Sequence, residues 1–187
     1  MCIGVVIPAG LVISEKIIRL CMNRNPDGNG VAYINKKGLV ETEKSIDFSE
    51  TGKAKFISRY YEIARQKAAS KHPMLLHFRV ATQGRISHDN CHPFKVKGGV
   101  LIHNGTMFYA ANGRDDVLSD TGKFAVKYGD KLSYEFVQQH KEGLGAALGS
   151  NKLAFLYDGG HTAVINERVW DKSKDGVLFS NTGWYER

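Results

Sequence analysis

Cysteine and proline are scarce in this chain, and targeting signals are missing from it. Only three cysteines and four prolines occur among 187 residues. The cysteines form no C-x-x-C pair, which argues against a disulfide framework and favours a reducing cytoplasm. No run of about 18 apolar residues is present, so no membrane-spanning helix is expected. The first residues lack a basic region followed by an apolar stretch, so a secretion signal is not expected either.

Linkers and nucleotide-binding motifs are also absent. No Pro/Ser-rich linker, low-complexity tract or repeat period divides the sequence, so residues 1–187 are expected to form a single domain. With 42% hydrophobic residues, a chain of this length can bury a full core. Neither G-x-x-x-x-G-K-S/T nor G-x-G-x-x-G occurs, so the sequence indicates no nucleotide site.

The positive charge is concentrated in one stretch. The net charge is +7, yet residues 51–100 alone carry ten Lys or Arg against two acidic residues. Such a field can attract an acidic partner, nucleic acid included. The plainer alternative is the solvated face of a helix, because residues 53–71 place apolar side chains at helical spacing with basic residues between them.

Apolar periodicity predicts the order of strands and helices. Strands are expected at 3–8, 31–35, 74–80, 100–103, 153–157, 162–165 and 177–179. Helices are expected after Ser14, over 53–70, from Ser119 or Asp120, and over 133–148, with a shaped loop at 23–30. This order favours an α+β or layered α/β architecture, with sheets covered by helices.

Cys2 is the first candidate nucleophile. Removal of Met1 would leave this cysteine with a free α-amine, so that one residue would carry both a thiol and a base. A free α-amine has a pKa of roughly 7.7–8.0 and a thiol about 8.5, so both groups titrate near neutrality. The amine can take the thiol proton and later deliver it to a leaving group. Taken alone, a cysteine at position 2 is more often a small buried residue than a nucleophile.

Four short motifs follow Cys2 in a fixed order. They are residues 77–84 (HFRVATQG), 90–94 (NCHPF), 103–105 (HNG) and 119–121 (SDT). Together with the loop at 24–30 (RNPDGNG), they resemble the glutaminase domain of class II glutamine amidotransferases, which are N-terminal nucleophile hydrolases. The resemblance covers nearly the whole chain and implies a four-layer αββα fold.

The resemblance implies a set of catalytic groups. Cys2 would be the nucleophile, and Asn104 and Gly105 would form an oxyanion hole through a side-chain amide and a backbone N–H. Arg24 matches an arginine that lies near the nucleophile in the family. An Asn-Gly pair is also typical of a type I′ hairpin turn, which is the alternative for residues 104 and 105.

The same resemblance implies the substrate contacts. Arg79 would hold the α-carboxylate of glutamine through its planar guanidinium, with the Thr82 hydroxyl beside it. Asp120 would bind the α-ammonium group. Gln83, which stands where synthase-linked members often carry histidine, completes the set. The alternatives are a surface arginine for Arg79, a strand residue for Thr82 and a helix N-cap for Ser119 or Asp120.

The seven histidines give no metal-site motif. Neither H-E-x-x-H nor a pair of C-x-x-C clusters occurs. His77, His92 and His103 are therefore predicted to be structural. No metal site is expected, and no cofactor is expected for the hydrolysis of glutamine.

A glutaminase is the leading prediction, which would hydrolyse L-glutamine to glutamate and ammonia. The resemblance implies that the ammonia passes to a separate synthetase, for which the basic helix 53–71 is a predicted docking surface. One alternative is a γ-glutamyl amide or peptide hydrolase. The other is a catalytically inactive basic module that binds nucleic acid or an acidic protein, which the complete catalytic set disfavours.

Overall fold

The computed structural model describes residues 1–107 and 117–182. Within them, ten strands follow one another along the chain: β1 (Ile3–Ile7), β2 (Gly28–Ile34), β3 (Val40–Ser45), β4 (Met74–Arg79), β5 (Phe94–Val96), β6 (Gly99–Asn104), β7 (Lys152–Tyr157), β8 (Thr162–Ile165), β9 (Asp171–Lys172) and β10 (Leu178–Phe179). The helices are α1 (Glu15–Arg24), α2 (Glu50–Arg65), α3 (Asp120–Tyr128), α4 (Tyr134–Gln139) and α5 (Lys141–Leu148). None of these helices is both long and apolar enough to cross a bilayer.

The strands form two antiparallel sheets. The first sheet has the order β3-β2-β4-β1-β10-β9, and the second has the order β5-β6-β7-β8. Strand β1 pairs with β4 on one side and with β10 on the other, so Cys2 stands at the start of an interior strand. Strand β6 likewise pairs with β5 and β7. Cys2 directly precedes one of these interior strands, and Asn104 ends the other.

Side-chain alternation along the strands creates three hydrophobic cores. Ile3, Val5 and Ile7 of β1 face helices α1 and α2, whereas Val6 faces the second sheet. In β6, Leu101 faces helices α3 to α5, and Ile102 faces the first sheet. One core therefore lies between helices α1 and α2 and the first sheet, and another lies between the two sheets. The third lies between the second sheet and helices α3 to α5. The predicted α+β class and its four-layer order are confirmed.

Strand β2 begins earlier than the sequence pattern suggested. The loop expected at 23–30 contracts to 25–27, because α1 continues to Arg24 and β2 starts at Gly28. Gly28 and Gly30 allow the segment at 91–93 to approach the strand closely. A Cβ at Gly28 would run into the sulfur of Cys91, and one at Gly30 would run into the carbonyl oxygen of His92.

The helices differ from expectation in length but not in capping. Ser14 and Ser119 cap α1 and α3 as predicted, each accepting a backbone N–H three residues on. Helix α2 begins at Glu50 rather than at residue 53, since Ser49 caps it through the N–H of Gly52. The helix expected over 133–148 is instead two helices, α4 and α5. His140 adopts φ −109° and ψ 16°, and it is both the C-cap of α4 and the N-cap of α5.

The basic face of α2 is partly neutralised within the chain. The Arg59 guanidinium bonds both carboxylate oxygens of Glu43 on β3 and one oxygen of Glu62. The Lys53 ammonium lies 2.8 Å from a carboxylate oxygen of Glu50. Arg59 therefore fastens the helix to the edge strand, which the sequence analysis did not anticipate because it assigned this residue to a free basic surface.

Candidate active site

Cys2 is held in place by Val80 and Asn181. Its thiol donates to the carbonyl oxygen of Val80 with an S···O distance of 3.5 Å. Its own carbonyl oxygen accepts a 2.6 Å bond from the side-chain amide of Asn181. Because Ile3 is buried immediately afterwards, the strand leaves Cys2 little freedom to move. The nucleophile is therefore positioned by main chain and amide contacts on two sides.

The charges around the Cys2 thiol act in opposite directions. Burial is the main influence and raises the pKa of the thiol, while Arg79 lowers it and Asp120 raises it further. The thiol is consequently protonated at neutral pH, so nucleophilic attack requires a base. His92 also faces this pocket, but burial lowers its pKa well below the ordinary value, which makes it a weak base.

Asn104 and Gly105 lie at the end of β6. The Asn104 amide is buried, and its Nδ2 donates a 2.9 Å bond to the Ser180 hydroxyl. Gly105 has φ +146°, and a Cβ there would run into the side chain of Asn151. Both edges of β6 are already paired with β5 and β7, so these two residues do not form the hairpin turn considered as the alternative.

Arg79 is the last residue of β4 and is almost fully enclosed. Its guanidinium donates to the carbonyl oxygens of Gln83, Gly84 and Arg85, at 2.7, 3.2 and 3.1 Å respectively. The alternative of a surface arginine is therefore wrong, since only 3% of the residue is exposed. Thr82 is exposed and follows the strand rather than lying in it. The guanidinium thus shapes the loop that carries Thr82 and Gln83.

Asp120 begins α3 and links it to the segment after β6. One carboxylate oxygen accepts a 2.7 Å bond from the N–H of Met107, and the other accepts a 2.7 Å bond from the N–H of Thr121. Ser119, not Asp120, is the helix cap. Asp120 is 6% exposed, so its negative charge is held next to the thiol and away from bulk water.

Six of the eight predicted site residues meet at one pocket. Its lining includes Cys2, Arg79, Thr82, Gln83, Gly105 and Asp120. The pocket has a volume of about 30 Å³, which is room for one or two water molecules. Asn104 is the immediate neighbour of Gly105. Arg24 is exposed at the end of α1 and does not line this pocket.

Asp27 is a positioning residue that the sequence analysis did not single out. One of its carboxylate oxygens accepts a 2.7 Å bond from the N–H of Ala81, and its own N–H donates to the carbonyl oxygen of Arg79. It thereby fixes the backbone around Val80, whose carbonyl oxygen accepts the hydrogen bond from the Cys2 thiol. The aspartate in the loop at 24–30 was the available signal, because that loop contributed to the family resemblance.

Three buried histidines lie next to one another at the pocket, and two of them, His92 and His103, line it. The rings of His77 and His92 stack with centroids 3.8 Å apart, and His92 lies 6.5 Å from His103. His103 bonds the Thr121 hydroxyl and the Asn151 amide oxygen, and a ring nitrogen of His77 bonds the His103 carbonyl. Within the described parts of the chain, no group of His, Cys, Asp or Glu could hold a metal ion.

The fold is that of N-terminal nucleophile hydrolase glutamine amidotransferases. The glutamine phosphoribosylpyrophosphate amidotransferase from B. subtilis, solved with ADP and GMP, is 17% identical with a TM-score of 0.55 over 98% of this chain and 42% of that one. A glutamine aminotransferase class-II domain protein from Silicibacter pomeroyi is 14% identical, with a TM-score of 0.48 over 96% of this chain and 87% of that one.

The sequence profile described as glutamine amidotransferases class-II matches residues 10–124. The chain therefore belongs to the class II glutamine amidotransferase family. No curated protein matches the sequence. The matched stretch includes the pocket residues of the loop after β4, the end of β6 and the start of α3.

Proposed function

We propose that this protein is a glutaminase that hydrolyses the side-chain carboxamide of L-glutamine and passes the ammonia to a separate synthetase. The observation that supports it most is the meeting of Cys2, Arg79, Gly105 and Asp120 at one pocket. These residues come from four distant parts of the chain. Each supplies a different group that amide hydrolysis of an amino acid requires: a nucleophile, an anion clamp, an N–H donor and a cation partner.

The base in this mechanism is the α-amine of Cys2 after Met1 is removed. Met1 is 81% exposed, which gives an aminopeptidase access to it. The amine takes the thiol proton, and the sulfur attacks the carboxamide carbon. The Asn104 amide and the Gly105 N–H stabilise the resulting oxyanion, with each donor contributing about 2.7–4 kcal/mol.

The breakdown of this intermediate releases ammonia. The C–N bond breaks as the protonated amine returns its proton to the leaving nitrogen, which leaves a Cys2 thioester. Water then attacks the thioester carbon while the amine accepts a water proton. The C–S bond breaks, the thiolate recovers that proton, and glutamate leaves. No step in this hydrolysis requires a cofactor.

The polar groups of the pocket suit the amino acid end of glutamine. Arg79 carries the positive charge for the α-carboxylate, and Asp120 carries the negative charge for the α-ammonium group. Thr82 and Gln83 lie on the loop that the Arg79 guanidinium holds. We expect the substrate carboxylate to replace some of the carbonyl oxygens that now accept from this guanidinium.

The experiment that tests this proposal measures separately what the thiol and the α-amine of Cys2 contribute to activity. Glutamate release is measured for protein whose intact mass shows loss of Met1, for Cys2→Ala, and for a variant with a leucine inserted between Met1 and Cys2. The insertion keeps the thiol but blocks the amine. We expect activity only in the first protein. Glutamate release by folded Cys2→Ala would overturn the proposal. Comparing kcat/KM for glutamine and for γ-glutamyl peptides identifies a γ-glutamyl hydrolase instead.

We also propose that the synthetase docks on the basic residues of α2 and of the segment 66–71 that follows it. Lys55, Lys67 and Lys71 are exposed, so their positive charges face the solvent. Arg59 and Lys53 instead pair with carboxylates of this chain. Reversal of these three lysines to glutamate is expected to weaken binding of a co-purified synthetase and to leave glutamate release unchanged. The reversal of Lys36 and Lys37, on the β2–β3 turn, is the charge control. Loss of basal activity in the folded triple variant would contradict the assignment.

A further inference from the structure

Ser180 joins the two sheets at the proposed oxyanion hole. It directly follows β10 and is completely buried. Its hydroxyl oxygen accepts two hydrogen bonds: one of 2.8 Å from the N–H of Gly4 on β1, and one of 2.9 Å from Nδ2 of Asn104 on β6. One oxygen atom thus holds the strand of the nucleophile and the amide of the oxyanion hole together.

The main chain of Ser180 is fixed by two further bonds. Its N–H donates 2.8 Å to the carbonyl oxygen of Gly4, and its carbonyl oxygen accepts 2.7 Å from the ammonium group of Lys152. Lys152 lies directly across from Asn104 in the β6–β7 pair. The hydroxyl is therefore a rigid acceptor, because the backbone that carries it is held from both sheets.

The orientation of the Asn104 amide follows from these contacts. The Ser180 carbonyl oxygen lies 3.5 Å from the same end of the amide that bonds the hydroxyl. An amide oxygen at that end would face a carbonyl oxygen, so the nitrogen end points toward Ser180. A primary amide has two N–H groups. The 2.9 Å bond to the Ser180 hydroxyl uses one of them. The 3.5 Å contact with the Ser180 carbonyl oxygen is long for a hydrogen bond, so the other N–H can serve a substrate oxygen.

We propose that Ser180 is a positioning residue that sets the plane of the Asn104 amide, so that its second N–H is aimed at the oxyanion. The inference rests on the proposed glutaminase function. The terminal torsion of an asparagine side chain has broad minima, so an amide without a fixed partner samples several planes. A donor that is oriented before the reaction stabilises developing charge better than one that must turn during it.

The first test observes the amide directly and does not depend on activity. Side-chain amide exchange of Asn104 is followed by ¹⁵N NMR in the unliganded protein. We expect slow exchange in the wild type and clearly faster exchange in Ser180→Ala. Ser173→Ala is the matched control, because the Ser173 hydroxyl also accepts one backbone N–H, from Val177, but lies outside the pocket. Wild-type exchange at Asn104 as fast as that of exposed Asn23 would overturn the inference even if no Ser180 variant folds.

The second test measures whether Ser180 acts through Asn104. We expect Ser180→Ala to lower kcat about 10- to 100-fold with KM within about twofold, and Ser180→Cys, a weaker acceptor, to give a smaller loss. In Ser180→Ala/Asn104→Ala, kcat should be no lower than in Asn104→Ala alone. Losses that multiply would overturn the inference. A wild-type protein without glutamate release would instead refute the proposed function, while amide exchange still decides the role of Ser180.

Discussion

His77 and His92 stack face to face with their ring centroids 3.8 Å apart, between the two sheets. Burial lowers the pKa of His77 to about 3 and that of His92 well below its ordinary value. Neither nitrogen of the His92 ring has a hydrogen-bond partner among the residues that the structure describes. Both rings are therefore neutral at physiological pH, and protonation of either would place an uncompensated charge in the interior.

The first prediction concerns folding stability at acid pH. An unfolded histidine has a pKa of about 6.5, so below that pH the unfolded chain binds a proton that folded His77 does not accept. His77 therefore does not lower the unfolding free energy above about pH 6.5. Below that pH, the unfolding free energy falls progressively as the pH falls toward 3. Between pH 7 and pH 5, the unfolding free energy of the wild type should therefore fall by about 2 kcal/mol more than that of His77→Gln.

Urea unfolding at the two pH values checks this prediction. Because only the difference between proteins is used, acid titration of carboxylates that are common to both cancels. His88→Gln removes an exposed histidine and should keep the wild-type pH dependence. An identical pH dependence in His77→Gln would show that the buried ring does not carry the proton linkage.

The second prediction concerns the reactivity of Cys2. Burial raises the pKa of its thiol, Arg79 lowers it and Asp120 raises it. Iodoacetamide labelling of Cys2 as a function of pH, followed by peptide mass spectrometry, should show a higher apparent pKa in Arg79→Gln and a lower one in Asp120→Asn. Buried Cys21 and Cys91 should remain unlabelled in the folded protein. Shifts in the reverse directions would rule out this electrostatic arrangement.

The third prediction concerns Arg79→Lys. Lysine keeps the charge but lacks the planar guanidinium that forms two parallel bonds to a carboxylate. The loss of a charge-assisted bond costs about 1.5–3 kcal/mol, so kcat/KM for glutamine should fall roughly 10- to 150-fold, mainly through KM. Arg85→Lys alters an exposed arginine of the same loop and should leave KM unchanged. Steady-state kinetics of both variants decides the point.

The fourth prediction concerns close packing at Gly30. A methyl group at this position would collide with the His92 carbonyl oxygen, so Gly30→Ala should lower the unfolding free energy by about 1–3 kcal/mol. Gly143→Ala is the matched substitution, because that glycine lies in α5 with open space around it. It should raise the unfolding free energy by about 0.5–1 kcal/mol. Equal effects in denaturant titrations would contradict the packing argument.

The ordered motifs located most of the candidate pocket because several of them place a side chain at the end of a strand or at the start of a helix. Arg79 ends β4, which pairs with β1 in the first sheet, and Asn104 ends β6 in the second sheet. The contacts of Asp27 and Ser180 lack such local signals. Asp27 bonds a residue 54 positions away, and Ser180 bonds Gly4 at a separation of 176. Only the assembled sheets bring these pairs together.

Strand β3 escaped prediction because it lacks an apolar period. Strand β3 reads VETEKS and is stabilised at the edge of the sheet by polar contacts, such as the 2.8 Å bond from the Tyr33 hydroxyl to Glu41. Apolar spacing continues through His140, so it could not reveal the break between α4 and α5. Similarly, Arg59 looked free because its partner Glu43 is 16 residues away.

The pairing of β1 with β10 also determines when the reactive centre can exist. Ser180 and Asn181, which bond Gly4 and Cys2, are made almost 180 residues after these partners. Contacts between such distant residues form late in folding because a long loop must close first. A growing chain therefore carries its thiol without the surrounding site, and the proposed chemistry becomes available only when β10 closes the sheet beside β1.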